Sequence, residues 1–199
     1  FGRTGTNFGV EHFGVVPDIM ATGKGLSSGY TPIAATVVSE RIYEAIYAKQ
    51  THYVHGHTYG GNPLSCAVAL AVQDYIAEHD LVANCRRMGD LMLEKLQPLL
   101  DCPIVGAVRG KGLLTGVEFV ADQKTREPFA VDRKVTAAVV DAVFDRNVLI
   151  MPGAPGLVDG AAGDHIAISP PFTIDEQQVD ATVLAVTEAV EETAQSLGF

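Results

Sequence analysis

The stretch Pro17-Asp18-Ile19-Met20-Ala21-Thr22-Gly23-Lys24-Gly25-Leu26-Ser27-Ser28-Gly29-Tyr30-Thr31-Pro32 decides how the rest of this sequence is read. Ile19-Met20-Ala21 is a short apolar run that suits a buried strand, introduced by Pro17 and Asp18 and broken by Thr22-Gly23-Lys24-Gly25. A lysine between two glycines at the end of such a strand has two readings. It is a plain lysine on a glycine turn, or it is an amine in a poorly solvated pocket, where it loses part of its proton affinity and can attack a carbonyl. Flanking glycines then let a bulky planar group approach the backbone. A P-loop is excluded, because it needs Gly in place of Asp18 and Ser or Thr in place of Gly25. Gly110-Lys111-Gly112 begins a dinucleotide fingerprint but has Thr115 where the third glycine belongs, and it joins two strands rather than opening a helix.

Downstream, Ile33 to Val38 is rich in β-branched residues and predicts a second strand, after which Ser39 can cap a helix carrying Ile42, Tyr43 and Ile46 on one face. A loop rich in Gly, His and Asn follows from about His52 to Asn62. Asn62 suits an N-cap and Pro63 a first helical turn. Leu64, Ala67, Val68, Leu70, Ala71 and Val72 then cover nearly the whole circumference, so the helix is expected to be buried on most sides. The hydroxyl of Thr58, free backbone amides and the positive end of that helix can form a phosphate cradle; the alternative is a helix-capping loop with no ligand. His52, His55 and His57 invite a metal, but no helix holds their spacing and no nearby Asp, Glu or Cys completes a ligand set, so no metal site is expected.

From about Glu78 the composition changes: Asp80, Arg86, Arg87, Asp90, Glu94 and Lys95 alternate with Leu81, Met88, Leu91 and Leu96 in an amphipathic pattern. Two domains are expected, residues 1–78 and residues 79–199. In the second, Ile104 to Arg109 and Leu113 to Val120 read as strands joined at Gly110-Lys111-Gly112. Asp132 can cap a helix whose face is Val135, Val139, Ala142 and Val143. Val148 to Met151 and His165 to Ser169 are further short strands. Thr173 with Glu176 forms a capping box before a stripe of Val179, Val183, Val186, Val190 and Leu197. Strands and helices are mixed throughout, hence an α/β class.

The 199 residues carry 14 Lys and Arg against 24 Asp and Glu, a formal net charge of −10, which disfavours nucleic acid or an anionic membrane as the main partner. Hydrophobic residues make up 47% and charged residues only 19%, so disorder is excluded and association through an apolar surface is expected. Apolar runs such as Leu64 to Val72 fall far short of the roughly 20 residues that span a bilayer, and no basic-then-apolar leader opens the sequence; a soluble, cytoplasmic protein is expected. Cys66, Cys85 and Cys102 form no Cys-x-x-Cys pair and read as reduced, mostly buried thiols. The sequence opens at Phe1 without an initiator Met and reads as the later part of a longer protein.

Five segments, in this order and spacing, resemble the class III pyridoxal-phosphate-dependent aminotransferases. They are Phe1-Gly2-Arg3-Thr4-Gly5, Pro17-Asp18-Ile19, Gly23-Lys24-Gly25-Leu26 with Gly29-Tyr30 and Pro32, His55-Gly56-His57-Thr58-Tyr59 with Gly61-Asn62-Pro63-Leu64, and Arg109-Gly110-Lys111-Gly112-Leu113. Gly163-Asp164-His165 and Pro170-Pro171-Phe172 extend the match almost to the end. Each piece alone is weak, and the ordered set is specific. The resemblance implies an aspartate-aminotransferase-like fold, with the later strands of the large mixed-sheet domain first and a small C-terminal α/β domain after it. It implies that Lys24 forms the internal aldimine with pyridoxal 5'-phosphate and shuttles the substrate proton. It also implies that Thr58 binds the cofactor phosphate of the neighbouring subunit in a homodimer with a shared active site, while Gly29 and Tyr30 are scaffold.

The same resemblance implies parts that these residues do not contain: an Asp on the pyridine nitrogen, a Gly-Ser phosphate loop and a ring-stacking aromatic, all upstream of the segment matching Phe1 to Gly5. Residues 1–199 alone are therefore expected to associate and to bind the cofactor poorly. Ornithine-type members place an Arg before the Pro-Pro pair to clamp a carboxylate, where this sequence has Ala167. Many members using pyruvate place one slightly upstream, where Ala161-Ala162 stands, and Arg146 is the nearest arginine before it. A primary amine or ω-amino acid donor with a small oxo-acid acceptor is the implied substrate pair. Another reaction of the same cofactor (aminomutase, racemase or decarboxylase) and a non-catalytic remnant remain the alternatives.

Overall fold

The computed structural model describes residues 1–48, 53–154 and 156–199, so His52 of the histidine cluster lies outside the described residues. The chain divides into two compact units, Phe1–Gly2 with Thr6–Val82, and Arg3–Gly5 with Ala83–Phe199.

In the first unit, β1 (Ile19–Thr22) pairs antiparallel with β2 (Ala35–Val38), Ile19 opposite Val38 and Thr22 opposite Ala35. The second strand starts later than the apolar run from Ile33 because its partner ends at Thr22, where Gly23 turns the chain away. Helix α1 (Glu40–Tyr47) follows. Ser39 stands at its N-cap position, but its hydroxyl lies 3.3 Å from Asp18 Oδ1 and caps no helical amide; its carbonyl accepts from Ile42 and Tyr43 instead. Arg41 also donates to Asp18, at 2.9 Å, and that bond, foremost, holds the Asp18 carboxyl below the usual carboxylate range. Helix α2 (Pro63–Glu78) starts as its sequence demands, with Ser65 N donating to Asn62 Oδ1 at 3.1 Å. The burial expected for it is not found: Leu64 is 73% exposed and Leu70 63%. A helix that is apolar all round needs cover on every side, and the Lys24–Leu26 turn packs on α2 while most of its apolar surface stays open.

The second unit is a four-stranded antiparallel sheet in the order β3-β4-β6-β5, made of β3 (Val105–Lys111), β4 (Leu114–Phe119), β5 (Met151–Pro152) and β6 (Asp164–Ile168). Along β4 the residues alternate: Thr115, Val117 and Phe119 are buried, while Leu114, Gly116 and Glu118 point to the open face. Helix α3 (Leu81–Leu96) buries Leu81, Cys85, Met88, Met92 and Leu96 at helical spacing. Helix α4 (Val135–Asp145) buries Val135, Val139 and Val143 and packs on β6 and on α5 (Glu176–Leu197), whose buried stripe includes Val179, Val186 and Val190. Both of these helices are capped by residues other than those expected. Asp132 lies in a separate 3-10 turn, cut off from α4 by Lys134 in a left-handed conformation, and the free amide of Thr136 is taken by Asp164 of β6 at 2.9 Å. The capping box of α5 is Asp175 with Gln178, not Thr173 with Glu176, because Asp175 is the last extended residue before the helix.

Cys85 is buried and burial pushes its thiol up to about 11; Cys102 is half-buried and raised for the same reason, whereas Cys66 is exposed. No helix among the described residues is long and apolar enough to cross a membrane.

Helix α3 lies so close to the β3–β4 hairpin that a Cβ on Gly89 would collide with the backbone of Gly112. Gly89→Ala is therefore expected to lose about 2 to 3 kcal/mol by overpacking, although alanine favours a helix by about 1 kcal/mol, while the neighbouring exposed substitution Asp90→Ala stays within about 0.5 kcal/mol. Denaturant titration of the two variants checks this. The Cys85 thiol, neutral up to its raised pKa, is expected to resist iodoacetamide at pH values near 9 and to label only on unfolding, as peptide mass analysis would read out.

Candidate active site

Lys24 opens a single 3-10 turn, Lys24–Leu26, directly after β1. Its φ of 47° lies in the left-handed region, where a residue with a side chain is strained by roughly 1 to 2 kcal/mol. Ser28 (φ 52°) and Gly29 (φ 83°) share that region, so the segment is tightly coiled. Its own bonds close it: Leu26 N donates to Gly23 O at 3.0 Å, Ser27 N to Lys24 O at 3.3 Å, and Tyr30 N to Ser27 O at 3.0 Å. The buried Ser27 hydroxyl donates to Thr31 O at 2.6 Å.

Helix α2 holds the segment from outside. The Gln73 side-chain amide donates to Gly25 O at 3.1 Å and to Leu26 O at 3.0 Å, and Ser65 Oγ lies 2.9 Å from Thr31 Oγ1. Sequence reasoning missed Ser27, Ser65 and Gln73. A signal existed for two of them: residues 65, 69 and 73 are four apart and form one stripe, polar-small-polar, on an otherwise apolar helix.

The Lys24 side chain is exposed, and no hydrogen bond or ion pair engages it among the described residues. Among the described residues the Lys24 side chain stands open, while bonds within the turn and from α2 hold the backbone around it. The flanking glycines face the chain itself. A Cβ on Gly25 would stand 3.4 Å from Phe1 Cβ, and one on Gly23 would stand 3.6 Å from Ile33 O.

Thr58 begins a turn that leads into the Asn62 cap, and it is exposed. The amides of Gly60 and Asn62 are engaged with His57 O (2.9 Å) and Tyr59 O (3.1 Å) and so are not free for a ligand, and no hydrogen bond engages the Thr58 hydroxyl among the described residues. His55 and His57 stack edge to face at 5.2 Å. No bond joins Thr58 to Lys24.

In the second unit, Ala167 lines a cavity of about 270 Å³ on the open face of the sheet, with Arg109, Leu114, Glu118, Leu157 and His165. Arg109 lies 3.4 Å from Glu118 Oε2, which Arg126 also approaches at 3.6 Å. Arg146, the upstream arginine of the sequence, is committed elsewhere. At the end of α4 it donates to Glu192 at 2.7 Å, Glu188 at 3.1 Å and Ala142 O at 2.9 Å, and these carboxylates, Glu192 first, raise its affinity for its proton.

The family model for aminotransferase class III matches residues 1–190. An uncharacterized aminotransferase of Bacillus subtilis, YodT, is 40% identical over 190 residues, covering 95% of this chain and 43% of that protein. A transaminase from the marine bacterium Virgibacillus superposes with a TM-score of 0.91 at 38% identity, over 100% of this chain and 44% of that one. An (S)-enantioselective omega-transaminase from Thermomicrobium roseum gives 0.85 at 35% identity, over 97% of this chain and 41% of that one. The chain therefore spans less than half the length of the relatives it matches. With its ordered motifs, its Lys24 turn and these superpositions, it has the α/β fold of the corresponding part of the transaminases, and it belongs to the class III aminotransferase family.

Proposed function

We propose that this protein is a pyridoxal-phosphate-dependent aminotransferase in which Lys24 carries the cofactor, and that it moves an amino group from a primary amine or ω-amino acid to a small oxo acid such as pyruvate. The observation that carries this reading is the Lys24 turn: an unpartnered lysine on a left-handed residue, at the end of a strand, with its backbone gripped from within the turn and from α2. A lysine that served only solubility would need none of that constraint. Family membership supports the reaction class.

The residues present fit the cofactor at two points. An unpaired primary amine can join its carbonyl carbon, and an unpaired hydroxyl ahead of a capped helix suits its phosphate. When bound, the cofactor would supply a sink for the electron pair left on the substrate carbon. Lys24 Nζ would hold the cofactor and, once displaced by substrate, take and return a proton at the substrate carbon. Thr58 would serve the neighbouring subunit of a homodimer. Three unpaired cysteines suit a reducing compartment such as the cytoplasm.

For the substrate, Ala167 gives β6 no guanidinium of its own; the arginine that lines the cavity, Arg109, lies 3.4 Å from Glu118 Oε2, and Arg146 is held by α5. This supports donors that need no arginine clamp at either place, and the likeness to an omega-transaminase agrees with it.

The full-length protein, given a primary amine and pyruvate, is expected to form alanine and a carbonyl product in equal amounts; racemase, aminomutase or decarboxylase chemistry would not yield that pair. Borohydride reduction should fix the cofactor on Lys24, and peptide mapping that placed it on Lys111 or Lys49 would overturn the assignment. Thr58→Ala should weaken cofactor retention by about 1.5 to 3 kcal/mol, the worth of a charge-assisted hydrogen bond. Its thermal unfolding should stay near that of the parent, because the hydroxyl bonds nothing else among the described residues.

A further inference from the structure

Helix α2 is apolar over most of its surface, yet the face it turns to the Lys24 segment carries Ser65 and Gln73, with Ala69 between them. The three are spaced by four and so line up along the helix. Ala69 is the buried residue of α2 among those described, and its small side chain lets the helix come close enough for the polar pair to reach the turn. Gln73 then uses both hydrogens of its amide nitrogen, one on Gly25 O and one on Leu26 O. Neither carbonyl receives a backbone amide among the described residues. These are the first two carbonyls after Lys24, in a turn whose strained left-handed start would otherwise relax toward the extended or right-handed regions.

We infer that Gln73 is a positioning residue for Lys24, an inference that rests on the reading of Lys24 as the cofactor lysine. By fixing Gly25 and Leu26 against α2, the Gln73 amide holds the Lys24 backbone in its left-handed state, and so sets where Nζ stands at the end of a four-carbon side chain. Leucine at this position would match the helix and its apolar neighbours better; what it lacks is the pair of donors. Asn62 caps the same helix four residues after Thr58, so α2 touches the Lys24 turn and has the Thr58 loop at its start.

The test uses the full-length protein with cofactor bound, in wild-type, Gln73→Leu and Gln73→Glu forms; the second variant keeps the size of glutamine but, ionised at pH 8, donates no hydrogen bond. Three quantities are read: the site of borohydride labelling, the pH titration of the visible band of the lysine-bound cofactor, and the rate of cofactor loss on dilution. The expected result is labelling on Lys24 in all three proteins, a visible-band pKa moved by about half a unit or more in both variants, and cofactor loss roughly fivefold faster or more. Thermal unfolding of the cofactor-free variants should stay within a few degrees of wild type, which separates positioning from general support. Variants labelled on Lys24 whose titration and cofactor loss overlay those of wild type would overturn the role of Gln73 and leave the role of Lys24 standing. Label absent from Lys24 in the wild-type protein would overturn the role of Lys24, and that of Gln73 with it. Should Gln73→Leu fail to fold, Gln73→Glu alone decides, with the same two outcomes.

Discussion

The contact of Gly89 with Gly112 sets the geometry of the second unit. It brings the backbone of α3 onto the turn of the β3–β4 hairpin, where no side chain fits between them. The start of the chain is bound to the same place. Leu113 N donates to Arg3 O at 2.9 Å, the Arg3 guanidinium donates to Leu113 O and Pro170 O and lies 4.8 Å from the Phe172 ring centroid, and Arg86 of α3 donates to Gly5 O. Four segments far apart in sequence therefore meet at one point. Burial lowers the proton affinity of Arg3, but the bonds it makes are to neutral carbonyls, so its charge is solvated by backbone dipoles rather than by a carboxylate. That explains why Arg3-Thr4-Gly5 and Arg109-Gly110-Lys111-Gly112-Leu113 occur together: the two motifs are the halves of one contact.

The first unit follows a different logic. Its sheet has two short strands, and α2 packs on a turn rather than on that sheet, so apolar burial alone cannot fix the turn in place. Directional bonds do so instead, from Gln73, Ser65 and Ser27. Each such bond contributes about 1 kcal/mol, comparable to the strain of one left-handed residue, so a set of them can offset the coil of residues 24 to 29 where any single one could not.

The class of the fold was legible because its signals are periodic or ordered: β-branched runs for β3 and β4, the stripes of α3, α4 and α5, and the glycine-punctuated motifs around Lys24 and Thr58. Helix caps were harder to read. Ser39, Asp132 and Thr173 all have suitable side chains, but a cap depends on which residue is last to be extended, and tertiary partners decided that: Asp18 drew Ser39 away, Asp164 supplanted Asp132, and Asp175 lay closer to α5 than Thr173. The two residues on which the proposed site rests, Lys24 and Thr58, stand out in the sequence because their contexts are local. Gln73 was not, since its partners lie 48 and 47 residues earlier and only the folded register of α2 brings them together. Arg146 shows the converse limit. Its sequence position left it open to a role with substrate, and two carboxylates one helical turn apart on α5 remove it from that role.

The Lys24 turn has a consequence for how a ligand would meet it. Every bond that shapes the turn, from Leu26 N to the Gln73 amide, comes from the chain itself, and none uses the Lys24 side chain. A turn held by such bonds would leave a ligand at Nζ only the rotamers of one long side chain to order, a cost of up to about 2 kcal/mol instead of the larger cost of folding a loop. Strain stored in a preformed turn differs from strain induced by binding: it is balanced by hydrogen bonds already in place, so it takes nothing from the affinity for the ligand. A polar pair on an apolar helix, costly to the helix as a surface element, thus has its physical reason in the rigidity it confers on a lysine it never touches.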